Sequence, residues 1–388
     1  MKAILFFITL FPILTFGQNR IEGRIIDAKS NKPLVNANIY VNGTTEGCMT
    51  NKKGYFILDN FTPPCQIGVS HVNYKPVMLS ITKTNIEGLV VKMKRRQVML
   101  RQVNVNNRNR RYLNVMKFKN NFLGSDYYGS KAVLKNDKAL FFDHDYKMVS
   151  TKMPKGISFS TPPVNGRKLV HKKDGDYIVY NNAINTKVKA NAPLLIDLPK
   201  LGYKIHAELI DFILETPSIN RSTRCYFLGY YYFESYKMKN EREERKFENR
   251  RKRAFYNSSM HFCRSLYNND LKRNGYQLIE KSADKKDSKL SLFSIDSISN
   301  KRENNTLKLY GLKGKHLFII YNGKSNGSPR DLTNRKLRAG SQSEIYFASD
   351  TCTITANGII PDNSIVFGGD ISNKKVGALL PENYTPKK

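Results

Sequence analysis

The residues between Ile21 and Leu58 constrain the fold of this chain more than any other segment. They alternate apolar and polar side chains in short runs, which end at the turn-forming clusters Ser30-Asn31-Lys32-Pro33, Asn42-Gly43 and Asn51-Lys52-Lys53-Gly54. Alternation of period two, interrupted about every ten residues by Asn, Gly and Pro, is typical of short antiparallel strands. The segment therefore predicts an antiparallel β-sandwich. Four apolar side chains, or their immediate neighbours, are expected to face its core: Ile25, Ile39, Val41 and Phe56.

The same residues resemble a known domain family. In the carboxypeptidase-like regulatory domain, a G-x-V-x-D strand leads into a P-L-x-x-A turn, a V-x-V-x-G-T strand, a T-x-x-x-G turn and a Y/F-x-L strand. The matching segments here are Gly23 to Asp27, Pro33 to Ala37, Ile39 to Thr44, Thr50 to Gly54 and Tyr55 to Leu58. The resemblance covers residues 20–94. It implies a seven-stranded, transthyretin-like Greek-key sandwich and brings no active site.

The N-terminal residues are typical of a secretory signal. Lys2 supplies a positive charge, Ile4 to Phe16 is an apolar run, and Gly17 offers a small residue for cleavage before Gln18. The alternative is a buried N-terminal strand or helix. No later segment reaches the roughly 18 consecutive apolar residues of a spanning helix, so no transmembrane helix is expected in the mature chain. The chain is therefore predicted to be exported, and to lie in the periplasm or at the outer membrane.

The charge of the chain predicts anionic partners. Its formal net charge is +33 and its pI is near 9.9, and a field of this size attracts anions without determining a fold. Behind an export signal, the expected partners are acidic lipid head groups, lipopolysaccharide phosphates and acidic glycans, or an envelope protein, and not nucleic acid. Peripheral membrane contact is compatible with this charge. The alternative is a background composition rich in Lys and Asn.

The five cysteines leave at least one thiol without a partner inside the chain. Cys48 can pair with Cys65, and Cys225 with Cys263, in an oxidising compartment, but the sequence does not give the connectivity. The absence of a C-x-x-C argues against a zinc ribbon or a redox pair.

The predicted organisation is mainly β, with five segments. They are a signal peptide at 1–17, the sandwich at 18–105 with a last strand in 98–105, a basic solvated linker at 106–117, an α+β middle domain at 118–282, and a C-terminal β domain at 283–388. Middle-domain strands are expected at 139–142, 204–214 and 224–236 because these segments are rich in aromatic and β-branched residues. A charged amphipathic helix is expected over about 241–272. C-terminal strands are expected at 306–311, 316–321, 343–348, 351–355 and 364–367.

The middle region also resembles an uncharacterised extension found in exported proteins that begin with this sandwich domain. The shared elements are F-L-G at 122–124, P-L at 193–194, L-G-Y-K-I at 201–205, N-R at 249–250 and S-S-M-H-F-C-R-S-L around His261. Phe247 stands where that pattern has a tryptophan. The resemblance implies no catalytic residue.

Motifs for catalysis are missing from the sequence. None of the six histidines has a Glu three residues later, and no H-E-x-x-H or G-x-S-x-G occurs. A metal at Asp143-His144-Asp145 is less favoured than a solvated strand or turn, and His261 is expected to be a core residue. The tyrosines between Tyr226 and Tyr236 can stack on sugar rings, but strand alternation is expected to bury about half of them.

The sequence therefore favours a non-catalytic exported protein of a Gram-negative envelope that acts as a binding or scaffold module, near TonB-dependent nutrient import. No cofactor, metal or catalytic residue is predicted. The candidate anion-contact residues are Arg108, Arg110 and Arg111 in the linker and Arg250, Arg251 and Arg253 in the helix. The alternative is an envelope hydrolase, a peptidase or a polysaccharide-processing enzyme, with its site in the middle domain.

Overall fold

The computed structural model describes residues 19–96, 108–152, 168–216, 223–281, 290–303, 305–323, 341–362 and 364–387. The chain divides into two compact units. The first unit comprises the described residues up to Asn42 and from Glu46 to Arg96, and the second comprises Gly43–Thr45 and the described residues after Arg96. The predicted strand within 98–105 lies outside the described residues. No described helix is long and apolar enough to cross a membrane.

The first unit is a seven-stranded sandwich. Its strands are β1 (Arg20–Asp27), β2 (Asn38–Val41), β3 (Gly47–Met49), β4 (Tyr55–Asp59), β5 (Cys65–Ser70), β6 (Val77–Ile81) and β7 (Asn85–Met93). They form a three-stranded sheet in the order β4-β1-β7 and a four-stranded sheet in the order β3-β2-β5-β6. Strand β1 pairs antiparallel with β4 but parallel with β7, so the expectation of a purely antiparallel sandwich was wrong for this one pair.

Alternation in the sequence produces the sandwich core. Ile25 and Ile39 are fully buried, and Val41 and Phe56 are also buried, which confirms the predicted inward face. Gly23 lies where the register between β1 and β7 shifts. A Cβ atom there would lie 2.0 Å from the Leu89 carbonyl oxygen, so only glycine permits this approach of the two strands.

All five cysteines are free thiols. Cys48 lies opposite Ile39 of β2, whereas Cys65 lies on β5, beyond β2, and pairs with Ile81 of β6. Two strand spacings of about 4.8 Å separate the backbones of these cysteines, more than the roughly 7 Å that a disulfide spans between Cα atoms. The arrangement of the sandwich therefore excludes the Cys48–Cys65 pair.

The second unit begins with a helix and a large sheet. Helix α1 (Arg108–Phe122) is followed by β8 (Val133–Leu134), β9 (Leu140–Lys152), β10 (Lys168–Lys172), β11 (Gly175–Ala190), β12 (Leu194–Leu198), β13 (Tyr203–Glu215) and β14 (Arg224–Ser235). The sheet runs β10-β11-β13-β12-β8, with β14 paired to β13 and β9 to β11. The strands expected at 204–214 and 224–236 are confirmed, and the one expected at 139–142 extends to Lys152.

Residues 108–117 are helical, so the prediction of a solvated linker was wrong for this segment. The helix forms because it buries one face on the sheet. Phe118 and Phe122 are almost fully buried, and their rings lie 4.8 and 6.2 Å from the ring of Phe212 on β13. Each aromatic contact of this kind adds about 1 kcal/mol beyond the burial of apolar area.

Two helices occupy the segment that was predicted as one. They are α2 (Glu241–Phe255) and α3 (Ser259–Tyr267). The break lies at Asn257, which has a left-handed backbone with φ of 58°, a conformation that Asn tolerates better than most residues. Ser258 then caps α3, since its side-chain oxygen accepts a hydrogen bond from the His261 N–H at 3.1 Å.

The remaining elements form a β module around α3. They are β15 (Tyr276–Lys281), β16 (Leu290–Leu292), β17 (Asn300–Glu303), β18 (Thr306–Leu309), β19 (His316–Tyr321), β20 (Ser341–Phe347), β21 (Cys352–Thr355), β22 (Ile365–Gly368) and α4 (Gly369–Asn373). One sheet runs β16-β15-β19-β20-β22 and the other β17-β18-β21. The five predicted C-terminal strands are confirmed to within a few residues.

The predicted domain boundary at 282/283 does not separate the two cores of the second unit. Phe262, Cys263 and Leu266 of α3 belong to the core of the C-terminal sheets. Conversely, Leu380 and Tyr384 belong to the core that contains α1 and the large sheet. Each core therefore takes side chains from both sides of the predicted boundary.

Candidate anion-binding surface

Helix α2 carries three of the predicted anion-contact residues, and its ends are well capped. The Asn240 side chain accepts a hydrogen bond from the Glu243 N–H at 2.9 Å, and the Glu243 carboxylate accepts one from the Lys239 N–H at 2.9 Å. Asn240 is thus the N-cap of α2, and Glu243 also binds the N–H of the residue before the N-cap. At the other end, the Lys374 ammonium donates to the carbonyls of Ala254, at 3.1 Å, and of Tyr256. Burial lowers the pKa of Lys374 to about 8.

The buried face of α2 fixes the orientation of the helix. Phe247, Ala254 and Phe255 are buried. The Phe247 ring packs on Gly202, where a Cβ atom would lie 3.0 Å from the ring, and Gly202 also has a positive φ of 70°. Phe247 stands at the position where the resemblance of the middle region has a tryptophan, and it fills that position as a core residue.

Two acidic side chains of α2 bind the C-terminal residues of the unit. The Glu248 carboxylate accepts hydrogen bonds from the Tyr384 hydroxyl at 2.9 Å and the Lys387 N–H at 3.0 Å. The Glu244 carboxylate pairs with the Lys387 ammonium at 2.6 Å, and this hydrogen bond lowers its pKa. Together with Glu243 at the helix start, three of the four acidic residues of α2 bind groups other than the basic side chains of the helix.

Arg251 is held by the protein itself. Its Nε donates to the Leu201 carbonyl at 2.8 Å and a terminal nitrogen donates to the Gly202 carbonyl at 3.4 Å. Its guanidinium lies 4.1 Å from the centroid of the Tyr203 ring, within the range of a cation–π contact. These contacts make Arg251 a structural link between α2 and the turn before β13.

Arg111 has a similar structural position on α1. Its terminal nitrogens donate to the carbonyls of Leu140, at 3.3 Å, and Asp137, at 2.9 Å. Arg108 and Arg110 lie in the first turn of the same helix. The predicted anion-contact residues are therefore divided between two helices, and two of the six bind backbone carbonyls of the protein.

Arg250 and Arg253 remain near the surface. Arg253 is exposed and Arg250 is half-buried. Both lie near Tyr128, whose pKa is raised by burial while the charges of these two arginines act against the rise. The Tyr128 hydroxyl donates to the Arg250 carbonyl at 2.9 Å.

Two further basic residues extend this surface, and sequence reasoning missed them. Arg242, Lys246 and Arg253 follow one another at helical spacing, so they lie on one line along the exposed face of α2. We call these three residues the basic stripe; it is about 16 Å long. Across the described parts of the chain, none of the three forms an ion pair, and the nearby Arg245 reaches Glu241 only at 3.9 Å. The helical spacing of 242, 246 and 253 was the signal that could have identified them.

Residues 21–105 match the family model described as CarboxypepD_reg-like domain. This match confirms the resemblance predicted for the N-terminal domain. None of the curated proteins matches the chain.

Three solved structures are similar to parts of the chain. One is a mutant type II cohesin–X-dockerin complex, Coh3ScaB–XDoc_M1ScaA, from Acetivibrio cellulolyticus, with 16% identity over 28% of this chain and 78% of that chain, at a TM-score of 0.18. A "putative membrane-associated protein of unknown function" from Bacteroides fragilis has 11% identity over 57% of this chain and 99% of that chain, at a TM-score of 0.17. A 9R-lipoxygenase from Cyanothece PCC8801 has 10% identity over 64% of this chain and 48% of that chain, at a TM-score of 0.17. These scores are too low to support an inference.

The two histidines discussed in the sequence analysis, His144 and His261, are held by hydrogen bonds within the fold. His261 is buried, and its Nδ1 lies 2.8 Å from the Tyr276 hydroxyl, which confirms that it is a core residue. His144 lies on β9 with its ring nitrogens 2.9 Å from the Asn114 amide and 3.0 Å from the Thr186 hydroxyl. Over the described ranges, no group of three His, Cys, Asp or Glu side chains is arranged to hold a metal ion.

Alternation along β14 turns one of its four tyrosines toward the core, fewer than the half that was expected. Tyr226 is 45% exposed, and Tyr230 and Tyr232, on the same face of the strand, are half-buried. Tyr231 points the other way and packs against the core, where burial raises its pKa. On the other face, the ring of Tyr232 lies 5.8 Å from the ring of His206 on β13.

Proposed function

We propose that this protein is a non-catalytic, exported binding or scaffold protein of a Gram-negative cell envelope, and that the basic stripe of α2 contacts an anionic partner. The observation that carries the proposal is the distribution of charge on α2. Glu243, Glu244 and Glu248 bind the helix start or the C-terminal residues. The positive charges of Arg242, Lys246 and Arg253 therefore face solvent, and none of the three forms an ion pair with another described residue.

The partner is defined by its chemistry: phosphate or carboxylate groups displayed on a surface, as in anionic lipid head groups, lipopolysaccharide or acidic glycans. Near an anionic membrane, each exposed basic residue contributes about 1 kcal/mol, and this contribution decays over roughly 8 Å at physiological salt. The net charge of +33 adds long-range attraction to the same partners. A stripe of three charges on a rigid helix gives this attraction a defined site.

The N-terminal domain supports a place near nutrient import, because similar sandwich domains precede some TonB-dependent outer-membrane receptors. Export to the periplasm or outer membrane rests on the signal-like N-terminal sequence. N-terminal sequencing of the protein from an envelope fraction tests this part: we expect Gln18 as the first residue. Recovery of exported material that begins at Met1 or Lys2 would contradict it. The hydrolase alternative stays a prediction.

Charge reversal tests the binding site. The variant Arg242→Glu/Lys246→Glu/Arg253→Glu is compared with Lys272→Glu/Lys308→Glu/Lys313→Glu, which changes the net charge equally at exposed positions of the same unit. Binding to lipopolysaccharide, and to phosphatidylcholine vesicles that contain phosphatidylglycerol, is measured over a salt series. We expect the stripe variant to bind at least about tenfold more weakly at low salt and to show a shallower salt dependence.

The control variant is expected to lose little affinity. Equal losses in the two variants would mean that only the total charge matters, and the basic stripe would not be a site. Binding of the unmodified protein that does not change with salt would also overturn the proposal.

A further inference from the structure

Helix α1 exposes a large apolar face to solvent. Tyr112 is 69% exposed, Leu113 48% and Met116 40%. At 100° per residue, these three side chains fall within an arc of about 100° on the helix. The buried residues Val115, Phe118 and Phe122 lie on the opposite side. The helix is therefore apolar on two sides, and only one of them is used by the fold.

Single exposed apolar residues are common on protein surfaces, but neighbouring large ones on one helix face mark a contact surface. The polar residues of α1 indicate the kind of contact. The helix sequence, RNRRYLNVMKFKNNF, contains five basic residues and no acidic residue. Lys117 is exposed at the edge of the apolar face. This wholly basic composition favours an anionic lipid surface as the partner over a protein surface of mixed charge.

We infer that Tyr112, Leu113 and Met116 form an interfacial membrane-binding face, which enters the boundary between head groups and acyl chains of an anionic bilayer. Amphipathic helices bind in this way when an apolar face is flanked by basic residues. Tyrosine suits this depth because its ring is apolar and its hydroxyl reaches water. The exposed ammonium of Lys117, at the edge of this face, supplies attraction to the lipid phosphates.

This inference goes beyond the basic stripe of α2, and the two are separable by salt. Contacts of α2 are electrostatic and weaken as salt rises, whereas burial of apolar side chains does not. The inference names a lipid bilayer as the partner, and it predicts a part of the affinity for vesicles that persists at high salt.

A fluorescent reporter tests insertion directly, because the chain contains no tryptophan. Tyr112→Trp introduces a single indole on the apolar face, and Tyr226→Trp introduces one at an equally polar control position that is 45% exposed on β14. Vesicles of phosphatidylcholine and phosphatidylglycerol are added to each. We expect the emission of the first variant to shift to shorter wavelength and to be quenched by brominated acyl chains, and the emission of the second to stay unchanged.

Bound protein whose indole at position 112 shows neither shift nor quenching would overturn the inference while leaving the α2 proposal intact. Failure of the unmodified protein to bind vesicles would overturn the inference, and the α2 proposal would then rest on its lipopolysaccharide measurement. An emission shift of equal size with vesicles of pure phosphatidylcholine would overturn the role assigned to the basic residues. Protein–protein association without vesicles, seen as a concentration-dependent shift, would assign the face to a protein partner instead.

Polar substitution measures the contribution of the face. Leu113→Gln/Met116→Gln is compared with Tyr226→Gln/Leu228→Gln, an exposed pair on β14. We expect about tenfold weaker vesicle binding at high salt for the α1 variant and no change for the control. Both variants should retain the circular dichroism of the unmodified protein, because the substituted side chains are exposed. Equal affinity of the two variants would contradict the inference.

Discussion

The two compact units build their cores in different ways. All core residues of the sandwich lie between Ile21 and Met93, and eleven of the fifteen buried ones sit on strands. In the second unit, one core joins Phe118 on α1 to Tyr384 near the end of the chain, and another joins Phe262 on α3 to Ile371 on α4. The comparison teaches that periodic apolar residues predict a core when the segments that form it are close together in the sequence. They do not predict which distant segments complete a core that helices share with sheets.

The largest expected effect is a loss of stability that is confined to the second unit. Phe122→Ala removes a fully buried ring that lies 4.9 Å from Phe118 and 5.1 Å from Phe227. We expect the free energy of unfolding of the second unit to fall by about 3–5 kcal/mol. Hydrogen exchange read out by mass spectrometry reports each unit separately. Faster exchange is expected throughout the large sheet and not in the sandwich.

Tyr112→Ala, on the opposite face of the same helix, is the control, with an expected change within about 0.5 kcal/mol. Equal loss of protection in both units after Phe122→Ala would break the comparison, since the cores would then behave as one.

A smaller effect tests whether α2 depends on its link to the turn before β13. Arg251→Ala removes two hydrogen bonds to backbone carbonyls and the contact with the Tyr203 ring. The expected loss is about 2 kcal/mol of unfolding free energy. Chemical denaturation followed by circular dichroism measures it. Arg253→Ala, two residues along the helix and exposed, is expected to change stability by less than about 0.5 kcal/mol. Similar losses in both variants would mean that Arg251 has no structural role.

A smaller loss of unfolding free energy is expected when the cap between α2 and α3 is removed. Ser258→Ala removes the side-chain oxygen that accepts from the His261 N–H, and the expected loss is about 1 kcal/mol. The neighbouring substitution Ser259→Ala lies inside α3 and removes no cap, so it should leave the midpoint of chemical denaturation unchanged. A larger loss for Ser259→Ala would place the start of the helix elsewhere.

The smallest effect concerns acid unfolding of the sandwich. Hydrogen bonds from the Tyr74 hydroxyl, the N–H groups of Ser30 and Lys29, and Arg95 hold the pKa of Asp27 well below its usual range. Stability from a carboxyl group of lowered pKa is present above the ordinary value near 4 and is lost as the pH falls below it. Tyr74→Phe removes the largest cause, so the acid midpoint of the sandwich should move slightly to higher pH. Tyr346→Phe in the second unit should not move it, and an unchanged midpoint after Tyr74→Phe would contradict the assignment.

Much of the fold could be predicted from the sequence. The strand over His316–Tyr321 has the predicted bounds, and the inward side chains of the sandwich were identified correctly because alternation directly reports which face is buried. The break at Asn257 was missed although its signals, an Asn that tolerates a left-handed backbone and a Ser that caps a helix, were adjacent in the sequence. Charge density and helical spacing continued through this segment and concealed the break.

The candidate site was only partly predictable. Consecutive basic residues at 250–253 attracted attention, but adjacent residues on a helix point in different directions. Arg251 consequently faces the fold, whereas Arg242 and Lys246 share a line with Arg253. The hydrogen bond between Glu248 and Tyr384 could not be predicted, because it depends on the C-terminal residues packing back against α2.

That return has a consequence for the order of folding during synthesis. The sandwich has its last core residue at Met93, so it can fold as soon as that part of the chain has left the ribosome. The core around α1 and the large sheet waits for residues 376–384, which are translated on the order of ten seconds after Phe255 at common elongation rates. During this interval the apolar surface beneath α1 is incomplete. Apolar side chains of the nascent second unit therefore wait for their final neighbours during this interval, after the sandwich already has all of its core residues.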